Sequence, residues 1–500
     1  MKTDVVVVGS GISGLTAALF LAKKGKRVTI VERTARPGGA LKRFKRQHTS
    51  FDVGFHYTGC LGDGEILAML WAYLGITPHL SVLPFPEHGH DALNIEGLDQ
   101  VVRAYFSYEQ FGDELNRIFP DQKRAIRKYF AKIKQICAEI PFYNPDLELT
   151  PFLRGYKGAS QSLYDYLEEL TPDRNLQAVL ASPAFLYGVP VAKASVEVHA
   201  MVAHGFYSGA YGIDGGGQAI VNAYLQVLRQ YDVMVLTRHK VESIQVEGGQ
   251  VCGVVTDQQT EISCADVIFT GHPSAVPAMV PSGFFRPAYS NRLLELQNTC
   301  SMFAVFGTVN MESAGQEPDW VNYYHFPNGA EVLPESVEVG SRRALMMTMP
   351  GRRDSTCLKE KGNGVILLRP AYWREAIEFH KTTCGNRPAD YLTWKESVAE
   401  EMIGAAEKNW GDICGKINPL AIGTPLTFRD ELGGVEGCAY GAQHGISQFN
   451  PGARTRLPGF WLSGQSTLMT GVVGAALSGM TTAGEMTGLE EMWEGIRQCR

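Results

Sequence analysis

Long hydrophobic runs are missing from this 500-residue chain. No stretch of about eighteen consecutive apolar residues occurs, which excludes a conventional membrane-spanning helix. Cysteine pairs are missing too. The ten cysteines are scattered from Cys60 to Cys499, with no C-x-x-C and no metal-site spacing. Free thiols in a reducing compartment fit that scatter. A positive excess is also lacking. The formal net charge of −6 offers no electrostatic footprint for nucleic acid. Neither a solenoid-period repeat nor a low-complexity segment is present. The first apolar strand begins at residue 4, and the expectation is a chain without a leader peptide. A cytoplasmic protein follows, with peripheral contact at the inner face of a membrane left open.

What is present begins at once. Asp4-Val5-Val6-Val7-Val8 runs into Gly9-Ser10-Gly11-Ile12-Ser13-Gly14, a helical stretch follows to Lys24, and Val28 to Val31 ends in Glu32. This is G-x-G-x-x-G in the strand–turn–helix–strand context that gives it meaning. Gly9 permits the turn, Gly11 lets the backbone approach a pyrophosphate, and Gly14 lets helix and strand pack closely. The amides of Ile12 and Ser13 open the helix, whose positive end favours phosphate. Glu32 suits an adenosine ribose and repels a 2′-phosphate. Arg33 and the doublet Gly38-Gly39, followed by Ala40, add a second turn that closes over a dinucleotide.

Further along, residues 65–75 read as a helix with a Gly cap. Phe51 to Gly59 reads as a short strand and a turn that presents an exposed His56-Tyr57 pair. Helical patterns dominate from 86 to 205, including an amphipathic, basic helix over 121–139 whose expected role is a solvated cap helix. The apolar tract 274–285 suits either core or lipid contact. Glycines 215–217 open a helix to about Gln230, followed by a strand, a hairpin starting at Val241, and a buried strand at Asp266–Phe269. Strands are expected near 302–309, 344–348 and 365–368, and helix near 389–409. The chain ends in a strand at 460, the Gly464-Gln465 loop, and a small-residue helix entered through Val472 and Val473.

These stretches together resemble the carotenoid-desaturase branch of the FAD-dependent oxidoreductases, nearest to the retinol saturases and carotenoid isomerases. The narrower signals are Asp52-x-Gly54-x-His56-Tyr57-x-Gly59, His199 with His204, Thr424-Pro425-Leu426-Thr427, Ala439-Tyr440-Gly441-Ala442-x-His444, and Ser463-Gly464-Gln465. Two positions depart from the desaturase pattern: Ala40 replaces the usual Arg, and Gln465 replaces the usual acid, although an amide still hydrogen-bonds hydroxyls. The resemblance implies an α/β fold, with a Rossmann-like FAD-binding domain of the glutathione-reductase and amine-oxidase type carrying an inserted α+β substrate domain. The implied FAD-binding domain is discontinuous, over 1–85, 206–290 and 435–500. The substrate or cap domain takes 86–205 and 291–434. FAD is the implied cofactor. Val241 holds its adenine through the backbone, and Gly464, Gln465, Val472 and Val473 stand near the flavin ring.

The implied chemistry is hydride transfer at a carbon–carbon double bond of an apolar polyene, retinoid or isoprenoid-type lipid, as saturation, desaturation or isomerisation. The cofactor supplies the redox chemistry and the protein supplies position and protons. His56, Tyr57, Tyr440 and His444 are the candidate proton donors or orienting groups, because His titrates near neutrality and Tyr donates while neutral. His199 and His204 are weaker candidates, five residues apart on one helix. No second complete G-x-G-x-x-G occurs, so electrons are expected to pass to or from a diffusing partner: NAD(P)H, a quinone or a redox protein. Two other readings stay open: an amine oxidase-like FAD oxidase with a polar substrate, and a FAD- or lipid-binding protein without turnover.

Overall fold

The computed structural model describes all residues except 87–88, 106, 156–160, 310–321, 328–331, 334–342, 351–352 and 359–362. Its first layer is a five-stranded parallel sheet in the order Phe460–Leu462, Asp266–Phe269, Val5–Val8, Val28–Glu32, Met234–Thr237. Val5 aligns with both Asp266 and Val28. Near-continuous apolar runs form these strands because both faces of a parallel sheet are covered. The helix Ile12–Lys23 is buried from Ile12 through Ala22. It lies against the C-terminal helix Gly471–Thr487 and the helix Gly216–Arg229. An antiparallel three-stranded sheet, Val241–Glu247, Gln250–Thr256 and Glu261–Ser263, sits alongside.

The second layer is a seven-stranded sheet ordered Ile417–Gly423, Ser301–Val309, Gly364–Ala371, Leu345–Thr348, Asn322–Phe326, Asp91–Ile95, Val102–Ala104. Its strand Ser301–Val309 alternates as a two-sided strand must. Met302, Ala304 and Phe306 face a core shared with the helices Lys123–Ala138 and Val196–Tyr207. Phe303, Val305 and Val309 face the helix Ala389–Cys414.

Several expectations shift. The region from 86 is not purely helical: Asp91–Ile95 and Val102–Ala104 are strands, and Asp91–Ile95 runs parallel to Asn322–Phe326. Asp91, Asn94 and Arg103 interrupt their apolar alternation, which hides them from a periodicity reading. The glycine-opened helix starts at Gly216, after a strand Tyr211–Ile213 that pairs with Val82–Pro84. The helix expected to end near 409 reaches Cys414, with a non-helical Trp410. The basic helix Lys123–Ala138 buries Ile126, Tyr129, Phe130 and Ile133 and keeps its charges outside. In the tract 274–285, Val280 is buried and Phe284 and Phe285 pack on the same core, which favours core over lipid contact. Among the described residues, no helix is long and apolar enough to cross a membrane.

Candidate active site

At the N-terminal end of the parallel sheet's first helix, the geometry is that of a phosphate cradle. Gly9 has φ +104°, a conformation that disfavours a side chain, and a Cβ there would lie 2.3 Å from Thr270 Oγ1. The space in front of Gly11 is open, whereas a Cβ on Gly39 would meet the Gly11 Cα at 3.2 Å. The fingerprint and the glycine doublet therefore touch. The helix has neither a side-chain cap nor an acid in its first turn. The amides of Ile12, Ser13 and Gly14 belong to that first turn, whose N–H groups have no partner within the helix. An uncapped helix start facing open space fits a pyrophosphate.

Glu32 is buried and heavily engaged. Oε2 accepts from the Ser10 amide at 3.1 Å and the Ser10 hydroxyl at 2.5 Å. Oε1 accepts from the Thr34 amide at 2.8 Å and the Thr34 hydroxyl at 2.7 Å. A carboxylate has about four lone-pair sites, so a ribose hydroxyl would replace one of these donors. Ser10 Oγ also accepts from the Gly38 amide at 3.1 Å, tying the acid to the glycine doublet. His239 donates its amide to the Glu32 carbonyl at 3.0 Å. That bond brings Val241, the first residue of its hairpin, to the ribose end. Arg33 is exposed and donates to the Asp430 carbonyl at 3.2 Å. Ala40 is exposed and lies under Gly54, whose Cβ would be 3.2 Å from the Ala40 Cβ.

The far end is built from C-terminal segments. Ser478 accepts from the Gly464 amide at 2.9 Å and bonds the Thr467 hydroxyl at 2.6 Å. The helix beginning at Gly471 has no side-chain cap and no acid in its first turn. Val472 and Val473 are half-buried there, and the space at Gly471 is open. The Tyr440–His444 segment lies on the Gly464–Gln465 loop. His444 Nε2 donates to the Gln465 carbonyl at 2.7 Å, and the Ala442 amide donates to Ser466 Oγ at 3.1 Å. Burial pushes the His444 pKa down and the Gln465 carbonyl opposes it. Burial pushes Tyr440 up.

Of the His56-Tyr57 pair expected to be exposed, Tyr57 is buried and His56 is only half-exposed. Gly59 brings the turn so close to Gly205 that a Cβ would lie 2.3 Å from its carbonyl oxygen. The rings of Phe85 and Phe206 cover Tyr57, with centroids at 5.6 and 5.0 Å. The Tyr57 hydroxyl donates to Asp91 Oδ2 at 2.9 Å and lies 2.9 Å from the Tyr324 hydroxyl. Asn322 Nδ2 donates to Asp91 Oδ1 at 2.9 Å. His90 Nε2 stands 3.7 Å from Asp91 Oδ2. The Arg353 guanidinium lies 4.0 Å above the Phe85 ring and bonds Thr348 Oγ1 at 3.2 Å. Burial lowers its pKa to about 10, with Asp91 opposing. Burial raises Asp91, against His90, Asn322, Tyr57 and Arg353. His56 is half-exposed at its surface, yet its Nδ1 is buried without a hydrogen-bond partner. Burial, with Arg353 adding, drives its pKa down to about 4.

The structure joins Tyr57 to Tyr324 through their hydroxyls. Tyr324 packs on Phe185, three residues before Gly188, where a Cβ would lie 2.8 Å from the Tyr440 ring. His444 sits behind the Gln465 loop instead. His199 and His204 are separate. His199 is buried between the Tyr129 and Tyr187 hydroxyls at 2.8 and 3.1 Å, and His204 Nδ1 bonds Tyr108. Trp461 lies on the edge strand and donates to Asp266 at 2.9 Å, so it forms no cage with Tyr440. Among the described residues no group of three or more His, Cys, Asp or Glu is placed to hold a metal. Sequence reasoning missed Asp91, Asn322, Tyr324 and Arg353. The available signal was polar residues embedded in buried stretches, such as His90-Asp91 before Ala92-Leu93.

The chain is 27% identical to all-trans-retinol 13,14-reductase of Macaca fascicularis over 520 aligned positions, covering 95% of this chain and 84% of that one. It is 24% identical to the chloroplastic prolycopene isomerase of Daucus carota, covering 96% of this chain and 79% of that one. In fold it matches the crystal structure of an oxidoreductase from Methanosarcina mazei with TM-score 0.67 at 15% identity, over 96% of this chain and 99% of that one. The model of the family described as flavin containing amine oxidoreductase matches residues 12–359. With the two open helix starts, these likenesses make the protein an FAD-dependent oxidoreductase of the Rossmann-like α/β fold. The chain belongs to the flavin containing amine oxidoreductase family.

Proposed function

We propose that the protein uses FAD to transfer hydride at a carbon–carbon double bond of an apolar polyene, retinoid or isoprenoid-type lipid. The observation that carries this reading is the likeness over almost the whole chain to proteins named for retinol reduction and prolycopene isomerisation. The geometry supports it. Tyr57 and Tyr324, both neutral donors, stand in an aromatic wall of Phe85, Phe206, Phe185 and Phe326. An apolar chain suits such a wall.

In this reading FAD supplies the two-electron chemistry. Gly9, Gly11, Ile12, Ser13 and Gly14 hold its phosphates, with Gly38 and Gly39 closing the turn. Glu32 and Val241 mark the adenosine end, while Gly464, Gln465, Val472 and Val473 mark the ring. His56, Tyr57, Tyr440 and His444 are the proton donors or orienting groups of this reading, Tyr57 acting through its hydrogen bond to Tyr324. Residues 1–85, 206–290 and 435–500 form the FAD-binding unit, and 86–205 with 291–434 the substrate unit. A diffusing donor such as NAD(P)H, a quinone or a redox protein exchanges the electrons. The proposed location is the cytoplasm, with peripheral contact at a membrane that stores the substrate.

The test incubates the chemically reduced holoenzyme with carotenoids, retinoids and prenyl quinones, followed by mass spectrometry. A gain of two hydrogens marks saturation. A loss of two, with the oxidised enzyme, marks desaturation. Unchanged mass with altered retention marks isomerisation. No change in any polyene, beside oxidation of a simple amine, would overturn the reading.

A further inference from the structure

The parallel strand pair Asp91–Ile95 and Asn322–Phe326 carries the Asp91 carboxyl and the Tyr324 phenol, and the turn after Thr49–Asp52 sets the Tyr57 phenol between them. Asp91 and Asn322 are register partners. The Asn322 amide, itself buried, holds Asp91 Oδ1 at 2.9 Å. That leaves Oδ2 to the Tyr57 hydroxyl at 2.9 Å, which in turn meets the Tyr324 hydroxyl at 2.9 Å. Asp91 and Tyr324 are 7% and 3% exposed and Tyr57 9%, so water is largely excluded from the line. At one end the Tyr324 ring meets Phe185 edge-on at 5.5 Å; Gly188, three residues on, lies against the Tyr440 ring, and Gly441 packs on Gln465. The other end faces His90 at 3.7 Å and the buried Arg353.

A purely structural phenol pair needs no carboxyl beneath it, and burying one is costly unless it is neutral or paired. A file of hydroxyls ending on a sheltered acid is the arrangement that passes a proton by reversing each hydrogen bond in turn. We infer that Asp91, Tyr57 and Tyr324 form a proton relay that delivers a proton to the substrate carbon opposite the hydride. This rests on the proposed polyene chemistry. In saturation the double bond accepts a hydride at one carbon. The other carbon forms its C–H bond with the Tyr324 hydroxyl proton. With Asp91 protonated on Oδ2, the 2.9 Å bond that a carboxylate would accept is reversed and Asp91 donates to the Tyr57 oxygen; Tyr324 then recovers a proton from Tyr57, and Tyr57 from the Asp91 carboxylic acid. The Asp91 carboxylate left behind faces the Arg353 guanidinium, and a solvent proton restores it after product release. Two electrons and one proton enter with the hydride and one proton comes from Asp91, so the step balances. Asp91 and Tyr57 are positioning residues here, and Tyr324 touches the substrate.

The first measurement is independent of turnover. Infrared spectra of the resting holoenzyme are compared for wild type, Asp91→Asn and Tyr57→Phe. The expected result is the carbonyl stretch of a protonated carboxylic acid, absent in Asp91→Asn and moved in frequency by Tyr57→Phe. No such band, or a band that survives Asp91→Asn, overturns the relay. The second measurement follows oxidation of the reduced enzyme by all-trans-retinol in light and heavy water. Tyr324→Phe, which keeps the ring and packing, is expected to slow it by roughly a hundredfold or more and to abolish the solvent isotope effect. A wild-type isotope effect in Tyr324→Phe overturns the relay while leaving polyene reduction intact. Failure of every polyene to react defeats the substrate reading, and the infrared comparison then decides the relay alone.

Discussion

The hydroxyls of Ser13 and Ser463 lie 2.7 Å apart across 450 residues of sequence. That contact joins the first turn of the helix Ile12–Lys23 to the loop that leads to Gln465. It depends on Gly479 of the C-terminal helix, where a Cβ would stand 2.2 Å from the Ser13 carbonyl oxygen. The backbone cannot yield without parting the two helices. Gly479→Ala is therefore expected to destabilise the protein by about 1–3 kcal/mol and to lower flavin retention. Urea unfolding and the flavin-to-protein ratio after gel filtration check this. A wild-type midpoint and ratio would show that the helix contact tolerates a methyl group.

Glu32 carries a second prediction. Its two oxygens accept four donors from Ser10 and Thr34. Glu32→Ala strands those buried or half-buried donors, at about 1–3 kcal/mol, besides removing the acid proposed for the ribose. Glu32→Gln restores one acceptor and is expected to hold more flavin than Glu32→Ala. Flavin content under increasing dilution measures both. Equal retention in wild type and Glu32→Ala would remove Glu32 from the cofactor site.

These two cases mark how far the sequence could be read. The strand–turn–helix–strand fingerprint is local, so the residues that need one another are neighbours in the chain and their order declares the geometry. The same holds for the small-residue C-terminal helix. The Asp91–Tyr57–Tyr324 line is not local. Asp91 and Tyr324 stand 34 and 267 residues from Tyr57; the strand pairing of Asp91–Ile95 with Asn322–Phe326 brings the first two together, and the turn that packs on Gly205 brings Tyr57 to them. Asp91 also sits in a strand too short and too polar to declare itself by alternation. For the same reason the His56-Tyr57 turn looked exposed, since Phe85 and Phe206, which cover it, come from elsewhere in the chain.

Arg43 supplies a third prediction. Its guanidinium bridges Asp52 and Asp354, both at 2.6 Å, and Asp52 accepts from the Gly217 amide at 3.0 Å. A Cβ on Gly216 would lie 2.2 Å from Arg43 Nη2, so the glycine run packs directly on this pair. Burial raises Asp52 and Arg43 opposes it. Arg43→Met would leave a buried carboxyl without its cation, a loss of about 3–5 kcal/mol. Arg43→Met combined with Asp52→Asn is expected to recover part of that loss. Thermal unfolding of the single and double variants decides it. A double variant whose loss equals or exceeds the sum of the two single losses would show that the pair does not act as a unit.

The fourth prediction concerns acid. His199 is fully buried between Tyr129 and Tyr187, and burial drives its pKa down to about 3. An unfolded histidine titrates near 6.5. Between those values the unfolded chain binds a proton that the folded chain refuses, so folding stability falls as pH drops. The stabilisation from keeping His199 neutral is whole above about pH 6.5 and declines below it. At pH 5 the loss is about 2 kcal/mol, at 1.36 kcal/mol for each pKa unit. His199→Gln keeps a hydrogen-bonding side chain without a titrating ring. Its unfolding free energy is expected to be lower than wild type at pH 7.5, with the gap narrowing by about that amount at pH 5. Carboxylates paired in the fold, such as Asp4 held near 2 by Arg27, lose their contribution mainly below this window. A constant gap between the variant and wild type from pH 7.5 to 5 would mean that His199 gains its proton in the fold as it does unfolded, with both tyrosine hydroxyls accepting from the imidazolium at pH 5.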